Sequence, residues 1–317
     1  MIPGSQTTHI GIDVSLTLTL DIGGTKIAAG VVDSAGALLH RAIRPTPHGD
    51  AEEVWAVVAG LVAEMSTAEA VREIPLSGVG IACAGPLDVA AGTVSPINIG
   101  SWRDFPLRER VSAALPGLPV RLAGDAVCMA LGEHRRGAGR GARFMLGMVV
   151  STGVGGGLVL DDAPYLGRTG NAGHVGHVVV DPQGEPCSCG GRGCVETIAG
   201  GPRMAQWART HGWVAGDTAD ARELAVAAAG GDAVARRAFE RGATAIAAMI
   251  ASVAAVCDLE LAVVGGGVAK AGPVLFDPLH AALKAYAGLR FIRGLRVVPA
   301  ALGGDAGLVG AAALLAS

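Results

Sequence analysis

Apolar runs bounded by glycine, proline or aspartate punctuate the chain, and they predict β-strands at 16–20, 27–32, 38–44, 76–82, 120–123, 144–151, 158–160, 259–264 and 297–300. Apolar residues spaced three and four apart predict helices over 51–65, 107–114, 126–136 and 306–315, and 202–256 reads as largely helical. Strands and helices alternate, which predicts an α/β protein. A domain boundary near Leu122 divides the chain into a smaller domain, 1–122 plus 303–317, and a larger one, 123–302, with the last helix folding back onto the first domain. Residues 1–15 carry no element, although Gly11-Ile12-Asp13 echoes Asp21-Ile22-Gly23.

With 317 residues the chain can bury a substantial core, and 50% apolar but only 3% aromatic residues mean a core of Ala, Val, Leu and Ile. The net charge of −3 and the lack of a basic tract argue against electrostatic capture of nucleic acid. The first 20 residues do not read as a signal peptide. The most apolar helical stretch, 243–256, reads as a buried helix too short to span a bilayer. Unpaired cysteines point to the cytoplasm.

Three glycine-rich turns each follow a predicted strand. In Asp21-Ile22-Gly23-Gly24-Thr25-Lys26, glycines would let backbone amides approach an anion, Lys26 adds charge, and Asp21 could hold a hydrated Mg²⁺. Ser151-Thr152-Gly153-Val154-Gly155-Gly156-Gly157 could grip a second part of a phosphate chain, and Gly265-Gly266-Gly267 could admit a nucleotide base or ribose. Each reads equally well as a plain turn, but three in this order within an α/β chain point together to a nucleotide. Asp125 ends a strand and opens a helix, at the sheet edge where ligands gather in open α/β sheets. It is either a base for a substrate hydroxyl or the N-cap of that helix.

His177, Cys187, Cys189 and Cys194 fall within 18 residues, and one imidazole with three thiolates suits a tetrahedral structural zinc; the alternative is a loop of reduced thiols. Nearby His174 and Glu196 could bind ligand hydroxyls, or be a satisfied histidine and a first-turn helix carboxylate. His134 and His211, beside arginines in helical stretches, read as surface residues, whereas Cys83, Cys128 and Cys257 read as ordinary core thiols.

Together these segments resemble the ROK family of sugar kinases and repressors across about 16–316. The turn at 21–26 is similar to the family's first phosphate loop, 151–157 to its second, and 263–267 to its adenosine loop. CSCGGRGCVE at 187–196 matches the family signature CxCGxxGCxE, and 305–312 resembles its C-terminal helix. The resemblance implies an actin-like (ribonuclease H-like) two-domain ATPase fold with ATP and sugar in the interdomain cleft. It implies Asp125 as general base on the sugar 6-hydroxyl, and sugar contacts from Gly85, Gly124, His174, His177 and Glu196. Nucleotide contacts would come from Asp21, Gly23, Gly24, Thr25, Lys26, Thr152, Gly153, Gly265 and Gly266. It further implies ATP, Mg²⁺ and structural zinc as cofactors, and a homodimer or homotetramer. Family repressors carry a helix-turn-helix domain ahead of this fold, and no such pattern occurs before Asp21. Family glucokinases have Asn where this chain has Gly124, and Glu where it has His174. His174-Val175-Gly176-His177 resembles instead the bacterial N-acetylmannosamine kinases. An imidazole can donate a hydrogen bond where a carboxylate cannot, so His174 is expected to donate to an acetamido carbonyl.

Overall fold

The computed structural model describes residues 15–216 and 218–316, so the echo at 11–13 lies outside the described residues. The chain opens with β1 (Leu16–Ile22), β2 (Lys26–Asp33) and β3 (Leu38–Pro45), then α1 (Ala51–Ser66), α2 (Glu69–Glu73) and β4 (Leu76–Cys83). A small hairpin, β5 (Leu87–Asp88) and β6 (Thr93–Val94), precedes α3 (Leu107–Ala114), β7 (Val120–Gly124) and α4 (Asp125–Arg136). The second half runs β8 (Phe144–Val150), β9 (Val154–Leu160), β10 (Ala163–Tyr165), α5 (Val195–Ala199), α6 (Gly201–Thr210), α7 (Ala221–Ala229) and α8 (Ala233–Cys257). It ends with β11 (Leu261–Gly265), α9 (Pro273–Tyr286), β12 (Arg296–Pro299) and α10 (Ala306–Ala313).

The two halves repeat one topology. The first sheet has the order β3-β2-β1-β4-β7, the second β10-β9-β8-β11-β12. In each, the middle strand of the opening meander is antiparallel to its neighbours and the last two strands join in parallel. Local sequence builds these elements by ordinary means. In β1, Leu16, Leu18 and Leu20 alternate with threonines and are fully buried. In α1, Asp50 caps the helix by accepting from the amides of Glu52 and Glu53, and Val54, Val58, Leu61, Val62 and Met65 form its buried stripe.

The helix that closes each half packs against the other half. α4 lies on β8 and β9, α10 lies on β1 and β4, and the two helices pack on each other. Their contact leaves no room for side chains at two points. A Cβ on Gly132 would stand 2.2 Å from the Ala306 carbonyl oxygen, and one on Gly310 would stand 1.6 Å from that of Cys128. A shared core of Ala82, Ala123, Val127, Leu131, Val159, Val263 and Ala311 joins the sheets here.

Several sequence expectations are corrected. The strand expected at 158–160 begins at Val154, so Gly155, Gly156 and Gly157 lie inside β9; Cβ atoms at the last two would strike Val175 and α4. The expected helical stretch 202–256 is three helices, broken around 211–220 and at 230–232, and α9 was not anticipated. The apolar segment 243–256 belongs to a helix of 25 residues, long enough by length and composition to cross a membrane. Its residues Ala238, Phe239, Ile246, Met249 and Ile250 instead centre the second half's core. His134 is 7% exposed rather than on the surface; its Nε2 lies 3.2 Å from Asp162 Oδ1, and its Nδ1 has no partner.

Candidate active site

The parallel strands β1, β4 and β7 end at one edge of the first sheet, and β8 and β11 end at the matching edge of the second. The turns singled out in the sequence therefore face a common cleft. At 23–26 the turn is a tight hairpin in which the Gly23 amide donates to the Lys26 carbonyl at 3.1 Å, while the Thr46 hydroxyl donates to the Gly23 carbonyl at 2.6 Å. A Cβ on Gly24 would sit 2.6 Å from the side chain of Asn98, so Asn98 lies directly over this turn. Asn98 is a functional candidate that sequence reasoning missed. Its signal was slight, one amide between Ile97 and Ile99 in a loop flanked by Pro96 and Gly100.

Asp21 lies near the end of β1, and Asp125 follows β7, one strand over beyond β4. Burial pushes the Asp21 carboxyl up to about 7, the negative charge of Asp125 adds to the rise, and Lys26 pulls against it. The Asp21 carboxylate also abuts the start of α10, 2.3 Å from where a Cβ on Gly307 would be. Asp125 is the first residue of α4, with Gly124 as N-cap and no side-chain capping bond there, so the capping alternative for Asp125 does not hold. Its carboxylate accepts from the Ala126 amide at 2.7 Å. The side chain opens onto the cleft, but the walls displace enough water to raise its pKa, with the Ala126 amide pulling the other way. Beside it, a Cβ on Gly124 would find only Val127 and Leu87 at 3.8 and 3.9 Å, leaving space next to the carboxylate.

His174 forms the opposite wall. Its Nδ1 lies 2.8 Å from the Asn171 carbonyl, which can only accept, so Nδ1 carries the proton. The neutral ring therefore presents Nε2 as an acceptor, 3.3 Å from where a Cβ on Gly85 would sit. The expected donor role of His174 is thus reversed for the neutral ring.

The second glycine turn, the third and the start of α6 meet around Ser151. Its amide donates to the Gly153 carbonyl at 2.8 Å, and its carbonyl accepts from Gly201 at 2.7 Å. Gly266 takes a positive φ of 96°, and a Cβ there would be 2.3 Å from the Val150 oxygen, so glycine is required on both counts. Between these turns and α7 lies a cavity of about 470 Å³ lined by Ser151, Thr152, Asp220, Arg222, Gly267 and Lys270, among others. The α7 contribution, distant along the chain from both turns, carried no local signal. Glu196, in the first turn of α5, does not project freely. Its Oε2 accepts from the Val154 amide at 2.8 Å, so this carboxylate rests on the second glycine turn.

The four proposed metal ligands converge. One ligand atom each from His177, Cys187, Cys189 and Cys194 lies within 4.8 Å of all the others. Cys187 Sγ is 3.6 Å from His177 Nδ1, and Cys189 Sγ is 3.7 Å from Cys194 Sγ. Those two separations match edges of a tetrahedron with arms of about 2.3 Å, the length of a zinc–thiolate bond. Burial pushes the Cys194 thiol up to about 12, whereas the Gly191 amide holds Cys189 below its ordinary value.

The model of the ROK family matches residues 17–317. The glucokinase of Thermotoga maritima is 34% identical over 311 residues, covering 93% of this chain and 96% of that protein. An N-acetylmannosamine kinase of Yersinia pseudotuberculosis is 37% identical over 295 residues, again 93% of this chain and 96% of that protein. Among solved structures, the ROK family glucokinase from Streptomyces griseus in complex with glucose and AMPPNP superposes with a TM-score of 0.80 at 35% identity, covering 95% of this chain and 99% of that one. With two sheets of one topology, exchanged closing helices and a cleft between the halves, the fold is the actin-like ATPase fold, and the chain belongs to the ROK family.

Proposed function

We propose that this ROK-family sugar kinase moves the γ-phosphoryl group of ATP to the 6-hydroxyl of N-acetylmannosamine, with Asp125 as the general base. The observation that carries the reading is the position of Asp125: at the end of β7, facing His174 across the cleft, with a carboxyl raised toward neutral pH, where a carboxylate is a better proton acceptor. Asp125 takes the hydroxyl proton as the oxygen attacks phosphorus. Amides of Gly24, Thr25 and Gly153, with Lys26 and Thr152, bear charge on the phosphate chain, while Gly267, next to Gly265 and Gly266, lines the 470 Å³ cavity for the adenosine. Asp21 stands where a hydrated Mg²⁺ would be held, an ion that supplies further charge neutralisation to the phosphates. The Cys₃His cluster fits structural zinc. With Nδ1 of His177 at the metal, its Nε2 is free to face the sugar beside Glu196 and Gly85.

The acetamido sugar is favoured by two features of this chain. Gly124 opens space beside Asp125, and His174 Nε2, an acceptor without charge, matches an amide N–H. A glucokinase is the second reading, favoured by the 34–35% identity to glucokinases over nearly the whole chain. ADP release with Mg-ATP against N-acetylmannosamine, N-acetylglucosamine, glucose, mannose and fructose separates them. A kcat/KM at least about tenfold higher for N-acetylmannosamine, worth roughly 1.4 kcal/mol, upholds the first reading, and the reverse ratio overturns it. We place the boundary between the two halves near Leu122, with 303–317 joined to the first. We expect a cytoplasmic assembly of two or four copies, which light scattering on purified protein tests.

A further inference from the structure

Asn171 makes contacts that neither the glycine turns nor the metal loop accounts for. It lies after β10, on the second half of the molecule. Its Oδ1 accepts from the Leu87 amide at 3.2 Å, and its Nδ2 donates to the Leu87 carbonyl at 2.7 Å. One side chain thus reproduces the two-bond exchange of paired antiparallel residues, and it grips the first half just after Gly85-Pro86. The same amide reaches Thr169 Oγ1 at 3.2 Å, and the Thr169 carbonyl accepts from Val89 at 3.5 Å. The Asn171 backbone carbonyl meanwhile holds Nδ1 of His174 at 2.8 Å. A Cβ on Gly85 would stand 3.3 Å from His174 Nε2 and 3.8 Å from Asn171 Oδ1, so the three groups meet at one point of the cleft wall.

Two consequences follow from chemistry alone. A carbonyl that fixes the proton on Nδ1 leaves Nε2 as the ring's acceptor, so the partner it selects on a ligand is a hydroxyl or an amide N–H. A bridge anchored on Leu87 sets the separation of that acceptor from the Gly85 backbone opposite. We propose that Asn171 is a positioning residue for sugar selection: it fixes His174 as a hydrogen-bond acceptor and clasps the Gly85 wall against it. The proposal rests on the sugar-kinase reading above.

The test compares wild type, Asn171→Ala and Asn171→Asp, with N-acetylmannosamine and glucose varied at saturating Mg-ATP and ATP varied at saturating sugar. Asn171→Ala is expected to raise the KM of the preferred sugar roughly tenfold while the KM of ATP stays within about twofold. Asn171→Asp is expected to be worse than Ala, because a carboxylate oxygen then opposes the Leu87 carbonyl; a role confined to filling space would not give that order. Unchanged sugar KM, or equal rises for sugar and ATP, overturns the proposal. If wild type phosphorylates no sugar, the kinase reading fails separately, and equilibrium binding of the same sugars decides on Asn171: weaker binding in the variants upholds it, equal binding overturns it. ¹⁵N NMR of His174 in the unmodified protein needs no variant to fold. A protonated Nδ1 with a bare Nε2 agrees with the proposal, and the opposite tautomer overturns it.

Discussion

At the scale of single residues, Asp125 and Asp21 are paired carboxylates with separable roles. Replacing Asp125 by Asn keeps shape and removes the proposed proton acceptor. It is expected to lower kcat by about 10²–10⁴-fold while sugar affinity changes little; a wild-type kcat would show that Asp125 is not the base. Asp21 gives a prediction in pH. Its carboxyl is raised from 3.8 to about 7, chiefly by burial. Between these values the folded protein holds a proton that the unfolded chain has released, so stability falls as pH rises through that window and stays reduced above it. The uncharged Asp21→Asn should therefore unfold at higher temperature than wild type at pH 8, by on the order of 1–2 kcal/mol, and near wild type at pH 4. It should also lose turnover, a gain in stability at the expense of a strained functional charge. Equal melting at pH 8 would refute the burial of that charge. Asp21 and Asp125 were legible in the sequence because each ends an apolar run, whereas Asn98, Asn171 and the acceptor state of His174 depend on contacts across the cleft that no local pattern encodes.

At the scale of elements, the metal loop and α4 hold the site from behind. The loop was legible because thiolates at fixed spacing in a glycine-rich turn have few other uses. One zinc per chain is expected by atomic absorption. Cys189→Ser should lose it, lower the melting temperature, and raise sugar KM roughly tenfold or more through His177. A Cys189→Ser protein with full zinc and unchanged KM counts against that coupling. The role of α4 was not legible. Glu133 is completely buried, and its two carboxylate oxygens accept from the amides of Ala138 at 2.8 Å, Ala301 at 3.0 Å and Leu302 at 2.8 Å. The helix that begins with Asp125 is thereby tied to the loop leading into α10, whose first turn abuts Asp21. Glu133→Ala leaves three part-buried amide hydrogen bonds without their acceptor and should cost about 1–3 kcal/mol in urea unfolding. A loss below about 1 kcal/mol would mean that water replaces the carboxylate. Helical spacing alone placed Glu133 within the helix predicted over 126–136, and only the arrival of residues 301–302, far along the chain, makes it a core residue.

At the scale of the whole molecule, the two halves share a strand order that hydrophobic pattern could not reveal, because order within a sheet is set by crossovers rather than by any one run of residues. The alternation of elements was readable; the close exchange of packing between α4 and α10 was not. That exchange makes the helix pair the joint on which the cleft is built. The joint is close because Gly132 and Gly310 carry no side chains, each facing a backbone carbonyl of the partner helix. Backbone cannot yield as a flexible side chain can, so Gly310→Val must push the helices apart. It is expected to lose at least about 1–3 kcal/mol of stability and, because α4 carries Asp125 and α10 abuts Asp21, to lower kcat more than it alters ATP affinity. Gly60 is the matching control: it lies in α1, where a Cβ would meet nothing within 4 Å. Gly60→Ala should raise stability by about 0.5–1 kcal/mol through reduced freedom of the unfolded chain, with kinetics unchanged. If Gly310→Val melts like wild type and keeps its kcat, the helix pair is not the joint, and the spacing of the two aspartates is set by the sheets alone.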